Sequence, residues 1–280
     1  MKHEFSPRRR ALLAALPACL LARSALARAK EWIFVVHPFE TPSRLFERFR
    51  PLTLYLGGAL GRPLRLVIAA TYDEQIAMIS DGRAQLAYLG PTPYVRVRER
   101  TRVEILAGEA EAGQAFYQSA IVTRVDSPIQ RVSDLRGRRL ALGAEISMSS
   151  AVAPKMMLAQ AGVKLAELAS VAHLDRHERV ALSVLHNDFD AGGLRLDIAR
   201  AYLPRGLRII GISPPLPPHV IVASPGLPPE AQRQARFALL HPDETGLAAL
   251  RKLGDNISFV EVNDSHYQSV RQMLKGQTAP

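Results

Sequence analysis

Three serines follow a predicted strand and a glycine, at the start of a predicted helix. The strand covers residues 140–143, and Ser147, Ser149 and Ser150 open a helix predicted over residues 147–161. The first N–H groups of a helix have no partner within it, and the helix dipole adds partial positive charge there, so such a turn can hold an anion. For any one serine, capping of the helix is the alternative role.

A histidine and three tyrosines stand at the edges of other predicted elements. His177 opens a helix predicted over residues 177–186, where its ring could donate to an anion. A solvated histidine in a polar turn is the alternative. Tyr72, Tyr94 and Tyr117 lie just outside or at the start of predicted elements, where a hydroxyl can reach a ligand or merely cover the core.

Motifs for other chemistries do not occur in the sequence. There is no G-x-S-x-G turn, and no phosphate-loop or dinucleotide fingerprint follows a strand, so no cofactor is predicted. His173 and His177 are separated by a predicted strand-to-helix turn, which argues against a metal site. An enzyme is a rival hypothesis because Ser147, Ser149 and His177 could supply a nucleophile and a base, although no third orienting group is evident.

Strand-like and helix-like segments alternate along the rest of the chain. Apolar runs predict strands over residues 32–36, 64–70, 86–89, 103–108, 117–125, 140–143, 169–173, 188–193, 207–212 and 220–223. Helical spacing predicts helices over residues 42–60 (interrupted at Pro51), 73–80, 93–98, 147–161, 177–186 and 230–253. This alternation is typical of an α/β fold with mostly parallel strands.

The pattern restarts once, and one segment is rich in proline. The restart is at Tyr117, and residues 214–218 read Pro-Pro-Leu-Pro-Pro, which predicts a stiff connector. We therefore predict two lobes, the first formed by residues 30–116 and 214–280 and the second by residues 117–213. A small ligand would bind in the cleft between them, and the two connecting segments would act as hinges.

Residues 1–29 have the features of a secretion signal. A basic start precedes an apolar run, residues 11–22, which is shorter than the ~20 residues that span a bilayer. A-x-A sequences then end at Ala27 and Ala29. We predict export to the periplasm by the general or the twin-arginine route, with a lipid anchor on Cys19 as an alternative.

The charge of the chain does not indicate a nucleic-acid partner. The formal net charge is +10, and residues 1–29 contribute six basic and one acidic side chain, so +5 remains without them. That remaining charge is mixed, without runs of one sign. The aromatic fraction of 6% is low for a base-stacking surface. We therefore predict no nucleic-acid binding.

Several short motifs occur in a fixed order along the chain. They are Pro51–Leu56, Thr71–Tyr72, Ala87–Tyr94, Tyr117–Val122, Asp126–Ile129, Val132–Gly137, Ser147–Ser150, His177, Asp190–Gly192, Ser213–Pro217 and Asp264–Met273. In this order and spacing they resemble the periplasmic binding proteins for phosphonate, phosphite and phosphate. Those proteins are the substrate-binding components of ABC transporters, and the resemblance runs from about residue 34 to residue 272.

The resemblance implies a type 2 periplasmic binding protein. In this two-lobed α/β fold each lobe is a mixed sheet flanked by helices, and the ligand lies in the interlobe cleft. The implied function is capture of a small oxyanion for the membrane permease of an ABC importer, without catalysis. A periplasmic sensory subunit that uses the same cleft is the alternative, and the sequence does not separate the two.

The resemblance also implies which groups hold the ligand oxygens. They are Tyr72, Tyr117, Ser147, Met148 (through its backbone N–H), Ser149 and His177. Met148 departs from the family, because it replaces a threonine and loses a hydroxyl donor. His219 aligns with a ligand-facing aspartate, which when ionised only accepts hydrogen bonds. A histidine there can donate, so the site should tolerate fully deprotonated dianions and discriminate poorly against sulfate. Asp197 or Glu145 could instead take over the accepting role.

Overall fold

The strands form two mixed sheets in the computed structural model, which describes residues 31–277. The first sheet has the order β11-β4-β10-β3-β1-β2, with β1 (Trp32–Val36), β2 (Leu64–Ile68), β3 (Leu86–Leu89), β4 (Glu104–Glu111), β10 (Val220–Ala223) and β11 (Ile257–Val260). The second has the order β7-β6-β8-β5-β9, with β5 (Ser119–Arg124), β6 (Arg139–Leu142), β7 (Ser170–His173), β8 (Ala191–Arg195) and β9 (Leu207–Ile212). The predicted signal at residues 1–29, with Cys19, lies outside the described residues.

Helices flank both sheets. They are α1 (Pro42–Ala59), α2 (Tyr72–Ser80), α3 (Pro91–Arg100), α4 (Ala153–Gln160), α5 (His177–Leu185), α6 (Leu196–Tyr202), α7 (Pro229–Leu240), α8 (Glu244–Leu253) and α9 (Gln268–Gln277). A π-helical turn, Met148–Val152, precedes α4. No helix within residues 31–277 combines the length and the apolar character needed to cross a membrane.

Apolar residues fill the central strands because helices cover both faces of each sheet. In β1, Phe34 packs in the cluster on the α1 and α7 side of the first sheet, whereas Val35 packs on the opposite side with residues of α2 and α3. Successive side chains of a strand point to opposite faces. All four residues of β3 are buried, as its central place in the sheet requires.

The sheets are mixed, so the prediction of mostly parallel strands is wrong. Five of the nine pairings between the described strands are antiparallel. In the first sheet β10 lies antiparallel between β3 and β4, and in the second β5 is antiparallel to both β8 and β9. Local alternation does not reveal the direction of a strand that returns from elsewhere in the chain. The mixed sheets implied by the family resemblance are confirmed.

Two helix predictions are corrected by the structure. The helix predicted over residues 230–253 is two helices, because α7 ends before Pro242 and Asp243 caps α8 by accepting from the backbone N–H of Gly246 at 2.8 Å. Pro51 does not interrupt α1. That helix continues past it because its apolar face is buried in the first sheet's core, and Thr53 donates to the carbonyl of Arg50 at 2.8 Å.

Two segments connect the sheets, residues 112–118 and 213–219. They pair with each other through a short antiparallel bridge. The Tyr117 N–H donates to the Leu216 carbonyl at 3.1 Å, and the Leu216 N–H donates to the Tyr117 carbonyl at 2.8 Å. The lobe boundaries and the hinge role stay predictions.

Candidate functional site

A small cavity lies between the two sheets where strand ends and helix starts converge. It is lined by His37, Phe39, Tyr72, Gly90, Pro91, Pro93, Tyr117, Ser147, Met148, Ser149, His177, Arg195 and His219. All seven residues predicted to hold the ligand therefore line one space. Ligands of open α/β sheets commonly bind beyond the carboxyl ends of the strands, where helices begin.

The serine turn contributes both a cap and donors. The Ser147 hydroxyl accepts from the Ser150 N–H at 3.4 Å, and the Ser147 carbonyl accepts from the N–H groups of Ala151 and Val152 at 3.1 and 3.0 Å. Ser147 is therefore the capping residue. Ser149 is not, so its buried hydroxyl is free of the capping role that the sequence left open.

Each of the two cavity tyrosines is hydrogen-bonded to a serine of this turn. Tyr72 opens α2 beside the first sheet and bonds Ser147, and Tyr117 on a connecting segment bonds Ser149. Burial raises the pKa of both phenols above the ordinary value. Both stay protonated at neutral pH and can donate to an anion.

His177 is the first residue of α5 and presents one ring nitrogen to the cavity. The backbone N–H of Arg195 donates to its Nδ1 at 3.4 Å, so Nε2 carries the proton of the neutral ring. Burial lowers the pKa of His177 to about 4, although the carboxylate of Asp197 opposes that shift. The imidazole is neutral at pH 7 and can donate through Nε2.

Two further histidines, His37 and His219, lie on the first-sheet side of the cavity. Their rings are parallel, with centroids 6.1 Å apart, and the Tyr88 ring is parallel to His219 at 5.1 Å. Burial lowers the pKa of His37 to about 3, and burial followed by the charge of Arg195 holds the pKa of His219 well below its ordinary value. The Nδ1 atom of His37 is buried without a hydrogen-bond partner in the described part of the chain. A bound ligand could satisfy it.

His219 approaches the backbone at Gly90, the residue that caps α3. A Cβ at that position would lie 3.3 Å from the Nε2 of His219. Such a contact is close enough that the ring would have to shift, so glycine at position 90 lets the imidazole reach the cavity wall.

Arg195 supplies a buried positive charge at the end of β8. Its Nε lies 2.9 Å from an oxygen of Asp197, its Nη2 lies 3.7 Å from an oxygen of Glu109, and its guanidinium lies 5.7 Å from the centre of the Tyr117 ring. Burial disfavours the charge, but Asp197 and Glu109 outweigh it and raise the pKa of Arg195 above its ordinary value. Glu109 in turn accepts from the Tyr88 hydroxyl at 2.6 Å.

Other residues singled out in the sequence lie outside the cavity. Glu145 and His173 line a larger groove, which Tyr72 also lines, and Asp197 lines neither space. The Tyr94 hydroxyl donates to Asp264 at 2.6 Å and its ring contacts that of Tyr267, so Tyr94 packs against the segment that leads into α9. No group of three or more His, Cys, Asp or Glu side chains among residues 31–277 is placed to hold a metal ion.

Met148 places its side chain against residues of the first sheet and its helices. Its sulfur accepts from the Thr92 hydroxyl at 3.5 Å, and the side chain packs in a cluster with residues such as Ala87 and Tyr94. Met148 also lines the cavity, and the role of its backbone N–H in holding a ligand stays a prediction.

Sequence reasoning missed His37 and Arg195. His37 directly follows β1, and a polar residue at the end of an apolar strand was a signal that could have found it. Arg195 was missed because the strand was predicted to end at residue 193, whereas β8 extends to Arg195.

Several solved structures are similar to this chain. PhnD1 from Prochlorococcus marinus in complex with methylphosphonate matches with a TM-score of 0.81 at 18% identity, over 89% of this chain and 98% of that one. A binding protein component of an ABC phosphonate transporter from Pseudomonas aeruginosa matches with a TM-score of 0.77 at 19% identity, over 87% and 85%. The periplasmic aliphatic sulphonate binding protein SsuA from Escherichia coli matches with a TM-score of 0.60 at 15% identity, over 88% and 86%. At these identities the matches establish the fold, which is that of a type 2 periplasmic binding protein.

The sequence itself matches a family profile described as ABC transporter, phosphonate, periplasmic substrate-binding protein, over residues 34–267. That range covers most of the chain, and it agrees with the extent of the resemblance drawn from the motifs. The family consists of substrate-binding components of transporters. This chain therefore belongs to the phosphonate periplasmic substrate-binding protein family of ABC transporters.

Proposed function

We propose that this chain captures a small tetrahedral oxyanion, a phosphonate, phosphite or phosphate, in the cavity between its sheets. The observation that carries the proposal is the convergence there of Tyr72, Tyr117, Ser147, Ser149, the Met148 backbone, His177, His219 and Arg195. Hydroxyl, imidazole and guanidinium groups donate hydrogen bonds, and the start of a helix adds backbone N–H groups. The methylphosphonate complex of the similar PhnD1 fits this ligand class.

We place the work of the protein in the periplasm, where it delivers the ligand to the membrane permease of an ABC importer. Family membership and the signal-like residues 1–29 support this location. The lobes, residues 30–116 with 214–280 and residues 117–213, would close on the ligand by bending at the two connecting segments. No catalytic step is part of this proposal, because the serines and His177 act as donors to the ligand.

A panel of oxyanions tests the ligand class. The mature chain is titrated calorimetrically with methylphosphonate, phosphite, phosphate and sulfate, with acetate as a carboxylate control. A specific binder also gains thermal stability as ligand concentration rises above the dissociation constant. Saturable binding of a phosphorus oxyanion, without binding of acetate, is expected, and no binding of any phosphorus oxyanion would contradict the proposal.

Mass spectrometry of the protein released from the periplasm tests export. The mature chain is expected to begin near Arg28 or Lys30, after an A-x-A sequence. A full-length product in the cytoplasm would contradict export, and a lipid on Cys19 would favour the anchored alternative.

A further inference from the structure

The cavity contains one permanently charged side chain and no carboxylate. Among the described residues that line it, Arg195 is the only arginine or lysine, and none is an aspartate or glutamate. The three histidines are neutral at pH 7, because burial is the largest cause that lowers the pKa of each. The wall of the cavity therefore has a net positive charge.

The guanidinium of Arg195 is fixed in place but still has donors to offer. Its Nε lies 2.9 Å from an oxygen of Asp197, and its Nη2 lies 3.7 Å from Glu109, which is longer than a hydrogen bond. A guanidinium has five N–H groups. The ring of Tyr117 and the two carboxylates hold the group, so it loses little side-chain freedom when an oxyanion binds.

Neither carboxylate partner of Arg195 belongs to the lining of the cavity. Asp197 and Glu109 contact the guanidinium but do not line the cavity. A cationic group on a ligand would therefore meet Arg195 and the imidazoles before it could reach either carboxylate. It would lose water and find a like charge, which is unfavourable in a buried site.

We propose that Arg195 determines the class of ligand: the site accepts oxyanions that have no cationic group next to the oxyanion centre, and it rejects aminophosphonates. This inference rests on the proposed oxyanion-binding function and makes it narrower. Arg195 acts as a specificity-determining residue because its guanidinium pairs with the ligand oxygens and repels an ammonium group next to them.

Two ligands of equal size test the inference on the unmodified protein. Ethylphosphonate and aminomethylphosphonate have the same number of non-hydrogen atoms, and the second places an ammonium one carbon from phosphorus. Titration calorimetry over about pH 5–9 brackets the second ionisation of a phosphate-like group, which lies near pH 6. The effect of ligand ionisation can then be separated from the effect of the ammonium. The aminomethyl compound is expected to bind at least about tenfold more weakly, which equals 1.4 kcal/mol.

Variants then test whether Arg195 is the cause. Arg195→Met is expected to weaken ethylphosphonate binding at least tenfold and to reduce the preference over the aminomethyl compound below about threefold. Arg195→Lys, which retains the charge, is expected to keep the preference. Arg139→Met is the matched control, because Arg139 pairs with Asp190 at 2.9 Å on the same sheet but does not line the cavity. It should change neither affinity nor preference.

If Arg195→Met does not fold, Arg195→Met combined with Glu109→Gln removes both charges of the buried pair and serves in its place. Equal affinity of the unmodified protein for the two ligands would overturn the inference while leaving the oxyanion function intact. An unchanged preference in the folded methionine variant would overturn the role of Arg195. Failure of both phosphonates, phosphite and phosphate to bind would instead overturn the proposed function, and the inference with it.

Discussion

Arg195 of β8 and Glu109 of β4 face each other across the boundary between the two sheets, with Nη2 and Oε1 3.7 Å apart and both residues buried. Glu109 also accepts from the Tyr88 hydroxyl. The contact joins the second sheet to the first directly behind the cavity. A charge pair in this place both balances the buried guanidinium and ties the two sheets together.

Replacing Glu109 by glutamine should destabilise the protein. The amide can still accept from Tyr88, but the negative charge opposite Arg195 is lost. We expect the free energy of unfolding to fall by about 3 kcal/mol, the lower end of what removing one partner of a buried ion pair costs, because Asp197 still contacts Arg195. Glu261→Gln is the control, because Glu261 pairs with Arg236 at the surface and should contribute less than about 1 kcal/mol. Denaturant unfolding measures both, and equal losses would contradict the structural role of the buried pair.

Ser149→Ala should weaken ligand binding without unfolding the protein. The capping residue of the turn is Ser147, so loss of the Ser149 hydroxyl removes a donor to the ligand and not the cap. We expect a loss of about 1.5–3 kcal/mol in binding, or roughly tenfold or more in affinity. Ser150→Ala is the control, because the Ser150 Oγ is buried without a partner in the described part of the chain and does not line the cavity. Calorimetry that finds both variants unchanged in affinity would remove Ser149 from the site.

Stability should fall as the pH drops below about 6.5. His37 and His177 have folded pKa values of about 3 and about 4, and that of His219 is also lowered, whereas histidines in the unfolded chain take up protons near pH 6.5. The unfolded state therefore binds more protons in this window, and stability is present above pH 6.5 and is lost toward pH 4.

The expected size is about 1 kcal/mol for each of the three histidines between pH 6.5 and pH 5.5. Denaturant unfolding of the ligand-free protein at several pH values measures how the free energy of unfolding changes with pH. His37→Gln should reduce that slope by the contribution of one titrating histidine. A flat profile between pH 5.5 and 7 would show that these imidazoles are not held neutral.

Sulfate should compete with phosphate at this site. An ionised aspartate at position 219 would accept a hydrogen bond from a protonated ligand oxygen and would repel a fully deprotonated ligand. A neutral histidine can instead donate a hydrogen bond to a deprotonated oxygen. Because the pKa of His219 is held well below its ordinary value, its protonation should not contribute to binding in the ligand-free protein between about pH 5.5 and 8.5. Glu145 and Asp197 do not line the cavity, so neither is placed to take over the accepting role.

Competition between phosphite, methylphosphonate, phosphate and sulfate measures this preference. His219→Asp should lower the affinity for sulfate relative to phosphate. Sulfate binding that is far weaker than phosphate binding at every pH would contradict the role of His219, and so would an aspartate variant with the same order of ligands as the parent.

The sequence alone determined the family, the α/β class and most of the short elements, because each depends on local patterns. Strands β1, β3, β9 and β10 have the predicted bounds, since a short apolar run between turn residues is a local signal. The serine turn and His177 were found in the same way, as donors at the starts of helices. Helix α6 and strand β11 were missed because their apolar patterns are too short or too mixed to stand out.

The tertiary structure decided the strand directions, the contacts around Arg195 and the burial of the three histidines. Mixed strand directions depend on how the chain returns from one sheet to the other, and no local pattern records that. The contacts of Arg195 with Glu109 and of Glu109 with Tyr88 join residues that are distant in sequence. These residues lie on β8, β4 and β3, and only the folded chain brings the three strands together. Burial, which holds His37, His177 and His219 neutral, is likewise a property of the assembled core, because the removal of water from a side chain depends on every element packed around it.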